Sequence, residues 1–260
     1  MSDFQEKLLA MIMSGLLVVS VLALSHETAE YVQSQRAVGV ASETVRPVDE
    51  THRKAGSNIP CVVLDAGHGG SDPGKVGING AEEKEINLAI VLRLKQFLEA
   101  NDVRVVLTRE NDAGLYDEDS DARKAQDMKR RVTVIEEAEA ALAVSVHQNS
   151  YPEEYVHGAQ VFYYENSKEG QKLAQVLQTN LAAYLDPGNT RQIKANDSYY
   201  LLKKTKLPIV IAECGFLSNA EEAQKLCDPL YQERIAWALH MGILRYLNNS
   251  GSAFDTNMLE

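Results

Sequence analysis

Three apolar, β-branched runs along the chain each stop at a polar group. Cys61-Val62-Val63-Leu64-Asp65-Ala66 gives way to the turn Gly67-His68-Gly69-Gly70, Ala143-Val144-Ser145-Val146 ends in His147, and Pro208-Ile209-Val210-Ile211-Ala212 ends in Glu213. Short runs of this composition, bounded by turn residues, predict buried strands. Between them the apolar period lengthens to three or four residues. Ile86, Ile90, Leu94, Phe97 and Leu98 predict a helix opening on Glu82-Glu83-Lys84-Glu85, and residues 123–139 predict a second. Leu173, Val176, Leu177, Leu181 and Tyr184 mark a third, closed by Asp186-Pro187-Gly188. Further strands are expected within 101–108 and 159–164. Ser218-Asn219 caps a short helix with Glu221 and Glu222 in its first turn, and Pro229 opens a last helix carrying Ile235, Leu239, Ile243 and Leu247.

Strand and helix alternate, which predicts an α/β fold: a single domain with a twisted, mostly parallel sheet and helices on both faces, spanning residues 59–248. Ahead of it, Leu8 to Leu24 is an uncharged apolar run, so residues 1–25 are expected to be a signal peptide or a membrane anchor. Export follows from either. Residues 26–58 mix charged and small polar residues without periodicity and are expected to be a linker, and residues 249–260 a disordered tail.

The chain has 260 residues, 45% hydrophobic and 24% charged, enough for one sizeable core. A net charge of −11, with no basic stripe, excludes electrostatic binding of nucleic acid as its business. Three cysteines build no disulfide framework. Cys61 and Cys227 are expected to be small buried hydrophobes. Cys214 follows Glu213, but strand alternation turns it to the opposite face, which argues against a catalytic thiol.

In an open α/β sheet the loops leaving the carboxyl ends of neighbouring strands meet at one crevice, which brings His68, His147 and Glu213 within reach of each other. Two imidazoles and a carboxylate form a ligand set for catalytic zinc, with a fourth position left to water. A further carboxylate is then free to act as a general base, and the helix start supplies Glu82, Glu83 and Glu85, although an acidic first turn also suits the helix dipole. Asp65, Asn87, Arg109, Asn149 and Asn219 are candidates for outer hydrogen bonds or substrate contacts, with turn and cap chemistry as the competing role. His157 falls in a loop, His240 on the last helix, and His26 and His52 in the linker.

Leu64-Asp65-Ala66-Gly67-His68-Gly69-Gly70, Glu83-Lys84-Glu85-Ile86-Asn87-Leu88, Ser145-Val146-His147-Gln148-Asn149 and Ala212-Glu213-Cys214-Gly215-Phe216-Leu217-Ser218-Asn219 resemble, in order, the motifs of the zinc-dependent N-acetylmuramoyl-L-alanine amidases. The likeness covers residues 60–247. It implies Zn²⁺ held by His68, Glu83 and His147, a catalytic Glu213, and hydrolysis of the bond between N-acetylmuramic acid and L-alanine in peptidoglycan. Gln148 departs from the alanine common in the family. A bare catalytic domain on an export segment looks most like the germination-specific amidases of spore-forming bacteria, which implies spore cortex as substrate, muramic δ-lactam formation and a place in the spore envelope. Tyr164 is followed almost at once by the Leu173 helix, leaving no room for the blocking insertion of some relatives, so control is expected from the membrane segment or a separate activating or localising protein. Two readings compete: a zinc peptidase cutting within the stem peptide, and a catalytically silent wall-associated protein.

Overall fold

Strands form where the apolar runs stand, and helices form where the period lengthens. The structure, a computed structural model, describes residues 59–255, with side chains through residue 249. The expected signal or anchor, the linker and residues 256–260 lie outside the described residues. In chain order the elements are β1 (Cys61–Ala66), α1 (Glu83–Glu99), β2 (Arg104–Leu107), α2 (Arg123–Glu137), β3 (Leu142–Asn149), β4 (Gln160–Tyr164), α3 (Lys168–Leu185), β5 (Lys194–Asn196), α4 (Tyr200–Lys204), β6 (Ile209–Phe216), α5 (Ala220–Leu226) and α6 (Pro229–Asp255).

The six strands form one sheet in the order β2-β1-β3-β6-β4-β5. The first four are parallel, joined through helices as parallel pairing requires. β4 runs antiparallel to β6, and β5 follows β4. The mostly parallel sheet is as the sequence predicts. β5 and α4 were not predicted, because Lys-Ala-Asn carries no alternation and α4 is a single short turn.

Alternation along each strand divides the core in two. Val62, Leu64, Ala66, Val144, Val146, Val210, Ala212 and Cys214 pack in one apolar cluster with α1, α3 and α6. Val63, Ala143, Ile209 and Ile211 face the other way and meet Ile135 of α2 and Leu201 and Leu202 of α4. Cover on both faces explains why β1 and β6 are buried at every position. The register sets Asp65 beside Ser145 and His147 beside Glu213, near the carboxyl ends of the parallel strands.

The expectation of a disordered tail from residue 249 needs correction, because α6 runs on to Asp255. Its apolar stripe ends at Leu247, so periodicity carries no signal beyond, yet no proline interrupts the backbone ladder. Among the described residues, no helix is long and apolar enough to cross a membrane.

Candidate active site

The turn after β1 folds back on the sheet through backbone positions that few side chains allow. His68 has φ of 63°, a left-handed conformation that costs a non-glycine residue about 1–2 kcal/mol. Gly67 lies so close to the next strand that a Cβ there would be 2.2 Å from Cε1 of His147. A Cβ on Gly74 would lie 2.6 Å from both Glu83 Oε2 and His68 Cδ2. The glycines therefore allow loop, helix and strand to converge, and three side chains meet there.

Glu83 is the first residue of α1 and is buried. Its Oε2 lies 3.2 Å from His68 Nε2 and its Oε1 2.9 Å from His147 Nδ1. The carboxylate also accepts backbone N–H groups from Lys75 and Gln148, at 2.8 and 3.0 Å, and the Asn87 amide at 3.2 Å. Of the three acids at the helix start it alone enters the site. Glu82 pairs with Lys84 at 3.3 Å, and Glu85 is exposed. His68 is oriented from its other side by Asp72, whose Oδ2 lies 3.0 Å from Nδ1.

Charge binds the cluster. Burial works to raise the Glu83 carboxyl, but the hydrogen bonds and charges of His147 and His68 overcome it and hold the group well below the usual range. Burial likewise opposes protonation of His68, yet Glu83 and Asp72 push its pKa up to about 9. His147 is raised by the same contest.

Glu213 stands apart from this pairing. It projects from β6 beside His147, is 8% exposed, and its Oε2 has no hydrogen-bond partner among the described residues. Burial lifts its pKa to about 7, with His147 and His68 opposing and Glu83 adding to the rise. A buried carboxyl with a free oxygen and a pKa near neutrality has the properties of a general base.

All four side chains open on one cleft of about 580 Å³, whose wall includes Tyr116, Lys124, Tyr199 and Tyr200. Ligand atoms of His68, Glu83 and His147 lie within 4.8 Å of one another. Two imidazoles and one carboxylate, each steadied by a further hydrogen bond or opposing charge, suit a zinc ion better than a hard, all-oxygen cation.

The outer candidates divide. Asn87 reaches the site, donating to Glu83 Oε1 and, at 3.1 Å, to the Gly67 carbonyl. Arg109 is buried and clamps the turn, donating to the carbonyls of Ala66, Gly67 and Lys84 at 2.9, 3.1 and 2.8 Å. Asp65 lines the cleft but hydrogen-bonds to neither histidine, accepting instead from Thr108 Oγ1 at 2.7 Å, Ser145 Oγ at 2.5 Å and Arg131 at 2.6 Å. Asn149 and Asn219 do not line the cleft. Asn219 caps α5 by accepting the Glu222 N–H at 2.9 Å. His157 is exposed, and His240 is buried beside Asn101 on the far layer. Cys214 is buried in the larger apolar cluster as expected. Cys227 is exposed, contrary to its expected burial, because it caps the end of α5 and leaves Leu226 as the last inward residue.

Sequence reasoning missed Asp72, Arg131 and Tyr199. Asp72 follows His68 by four residues, but only the left-handed turn brings the two together. Arg131 is one of many charges on α2, with no pattern to mark it as buried.

Residues 62–245 match the family described as N-acetylmuramoyl-L-alanine amidase. A Bacillus subtilis (strain 168) protein named germination-specific N-acetylmuramoyl-L-alanine amidase is 38% identical over 193 residues, covering 73% of this chain and 81% of that protein. N-acetylmuramoyl-L-alanine amidase LytC of the same organism is 33% identical over 188 residues, 71% of this chain but 35% of LytC. Among solved structures, the CwlD amidase of Clostridioides difficile, in complex with the GerS lipoprotein, superimposes with a TM-score of 0.71 at 40% identity, covering 73% of this chain and 98% of that one. The amidase AmiC2 of Nostoc punctiforme gives 0.66 at 32%, covering 74% and 99%. Since the match runs through every strand that delivers a side chain to the cleft, the chain belongs to the N-acetylmuramoyl-L-alanine amidase family, as an enzyme of the CwlD type.

Proposed function

We propose that the enzyme is a zinc amidase of spore-cortex peptidoglycan, with His68, Glu83 and His147 as ligands and Glu213 as the proton-transfer group. The observation that carries the site assignment is the division of labour between two buried carboxyls. Glu83 is fully engaged by donors and ionised, whereas Glu213 keeps a free oxygen and a pKa near 7. Zinc, when bound, polarises the amide carbonyl and brings the pKa of the attacking water towards about 7. Glu213 takes a proton from the attacking water and returns it to the departing nitrogen of L-alanine, acting as base and then as acid. Glu83 would hold the metal together with both imidazoles.

Kinship with the germination-specific B. subtilis amidase supports cortex as the substrate and the spore envelope as the place of action. The apolar run at Leu8 to Leu24 supports export with or without a retained membrane anchor. A separate protein partner is supported by the lipoprotein complex of the C. difficile relative.

Muropeptides released by the zinc-supplemented protein and by its Glu213→Gln variant, identified by mass spectrometry, test the reaction. Free stems beginning at L-alanine are expected from the parent alone, with kcat in the variant reduced by roughly 10²–10⁴ and its zinc content unchanged. Shortened stems still joined to muramic acid would establish a peptidase instead. An active Gln variant would remove Glu213 from the mechanism.

A further inference from the structure

Arg131 lines the cleft, yet it is 2% exposed and has no free hydrogen-bonding capacity. A guanidinium offers five N–H donors. Nε donates to Asp127 Oδ2 at 2.6 Å, and Nη1 to Asp65 Oδ1 at 2.6 Å and the Ala66 carbonyl at 2.8 Å. Nη2 donates to the His68 carbonyl at 2.5 Å and, more weakly, to Asp127 Oδ1 at 3.4 Å. Every donor is therefore directed at the protein itself, so Arg131 is not a receptor for a substrate carboxylate, the usual role of an arginine in a cleft.

Its grip has a specific target. Arg131 and Arg109 together hold the carbonyls of Ala66, Gly67 and His68, but Arg131 alone reaches the carbonyl of His68, the residue in the left-handed conformation. That conformation aims the His68 imidazole at Glu83, and it is unfavourable unless something outside the residue holds it. Asp65, itself in β1, joins the clamp to Ser145 of β3 and to Thr108, the residue directly after β2, so the position of the His68 backbone is referred to three neighbouring strands or strand ends at once.

We propose that Arg131 is a positioning residue that locks His68 in its left-handed turn and thereby sets the geometry and affinity of the metal site. It acts through His68 and does not touch substrate. This rests on the assignment of His68 as a metal ligand. A lysine at 131 keeps the charge but has three donors on a single nitrogen and no planar fork, so it cannot satisfy Asp65, Asp127 and two carbonyls together.

The test uses the full chain with Arg131→Lys, Asp127→Asn and His68→Ala. Zinc affinity is measured by competition with a chromophoric chelator, the cobalt-loaded proteins are compared by visible absorption, and thermal unfolding is followed with and without metal. Arg131→Lys is expected to lose 10- to 100-fold in zinc affinity, the range for an outer-shell partner, with an altered cobalt spectrum and a lower kcat at saturating zinc but an unchanged KM. Asp127→Asn, which loosens one end of the clamp, is expected to shift affinity in the same direction by less, and it decides the matter if the lysine variant does not fold. Zinc affinity and cobalt spectra like those of the parent in folded Arg131→Lys and Asp127→Asn, with only Tm lowered, would overturn the proposal and leave Arg131 a stabilising ion pair. His68→Ala separates the two assignments: full zinc binding in that variant would reject His68 as a ligand, whereas loss there beside parent-like binding in Arg131→Lys rejects the positioning role alone.

Discussion

The two faces of the sheet are built from the same strands and obey different rules. On the face covered by α1, α3 and α6 the inward positions stay apolar to the strand ends: Val62, Leu64 and Ala66 in β1, Val144 and Val146 in β3, Val210, Ala212 and Cys214 in β6. On the opposite face each strand changes character along its length. Val63 gives way to Asp65, Ala143 to Ser145 and His147, and Ile209 and Ile211 to Glu213. A period of two lets one backbone serve a dry core and a reaction centre without either intruding on the other. The polar face must satisfy its groups one by one, since a buried ion without partners is costly. Asp65 does so through three donors, and Glu213 is the exception, its Oε2 buried without a partner among the described residues.

The contrast is broken most severely at Asp65. Its replacement by Ala would leave Arg131 with one carboxylate and orphan the hydroxyls of Ser145 and Thr108, and the loss of one partner from a buried pair costs about 3–5 kcal/mol. Denaturant unfolding of Asp65→Ala should show a loss of that size together with weaker zinc binding. A loss under about 1 kcal/mol would mean that the polar face is held by packing and not by its charge network. Leu177→Ala probes the other face, where α3 passes close to Gly242 of α6. The cavity should cost about 2–5 kcal/mol while kcat of the folded enzyme stays unchanged, and a kcat lowered in proportion to the stability lost would deny the independence of the faces.

The polar face should also respond to pH where the apolar one does not. In the metal-free protein His68 has a pKa raised from 6.5 to about 9. The stability it contributes is fully present below 6.5 and is lost as pH rises through about 9. Glu213, raised from 4.5 to about 7, changes stability in the same direction over its own lower window. Tm of the metal-free protein should therefore fall from pH 6.5 to 9, whereas zinc affinity should climb by about tenfold per pH unit for each imidazole that must lose its proton. A zinc affinity flat across that window would show that neither histidine binds the metal in competition with a proton.

How much of this was legible in the sequence follows the same divide. The apolar face announces itself by periodicity, so β1, β3, β6, α1, α3 and the packed part of α6 stand where Val62, Val144, Val210, Ile86, Leu173 and Ile235 place them. On the polar face the groups at strand ends were visible, His68, His147 and Glu213, with Asp65, Asn87 and Arg109 as candidates for outer hydrogen bonds. Their bare pattern made Glu213 as good a ligand as any acid at the helix start, and the choice of Glu83 came from resemblance to the amidases. In the structure Glu83 contacts both imidazoles while Glu213 has a free oxygen. Asp72 and Arg131 were illegible for a physical reason: their roles depend on the left-handed turn at His68 and on a guanidinium spanning elements far apart in sequence.

The smallest effect is expected where the two faces come closest along the chain, at the adjacent residues Glu213 and Cys214. Cys214 is fully buried in the larger cluster, and burial, with the neighbouring charges of Glu213 and Glu222, pushes its thiol far up. It therefore holds no thiolate at neutral pH and acts as a small hydrophobe. Cys214→Ala should lower stability by about 1 kcal/mol and leave kcat and zinc affinity at parental values. Brief treatment of the native protein with a thiol-alkylating reagent, followed by peptide mass spectrometry, should mark the exposed Cys227 and spare Cys214. Inactivation in step with Cys214 labelling would mean that the residue behind Glu213 reaches the cleft, and that one strand does not keep core and chemistry apart.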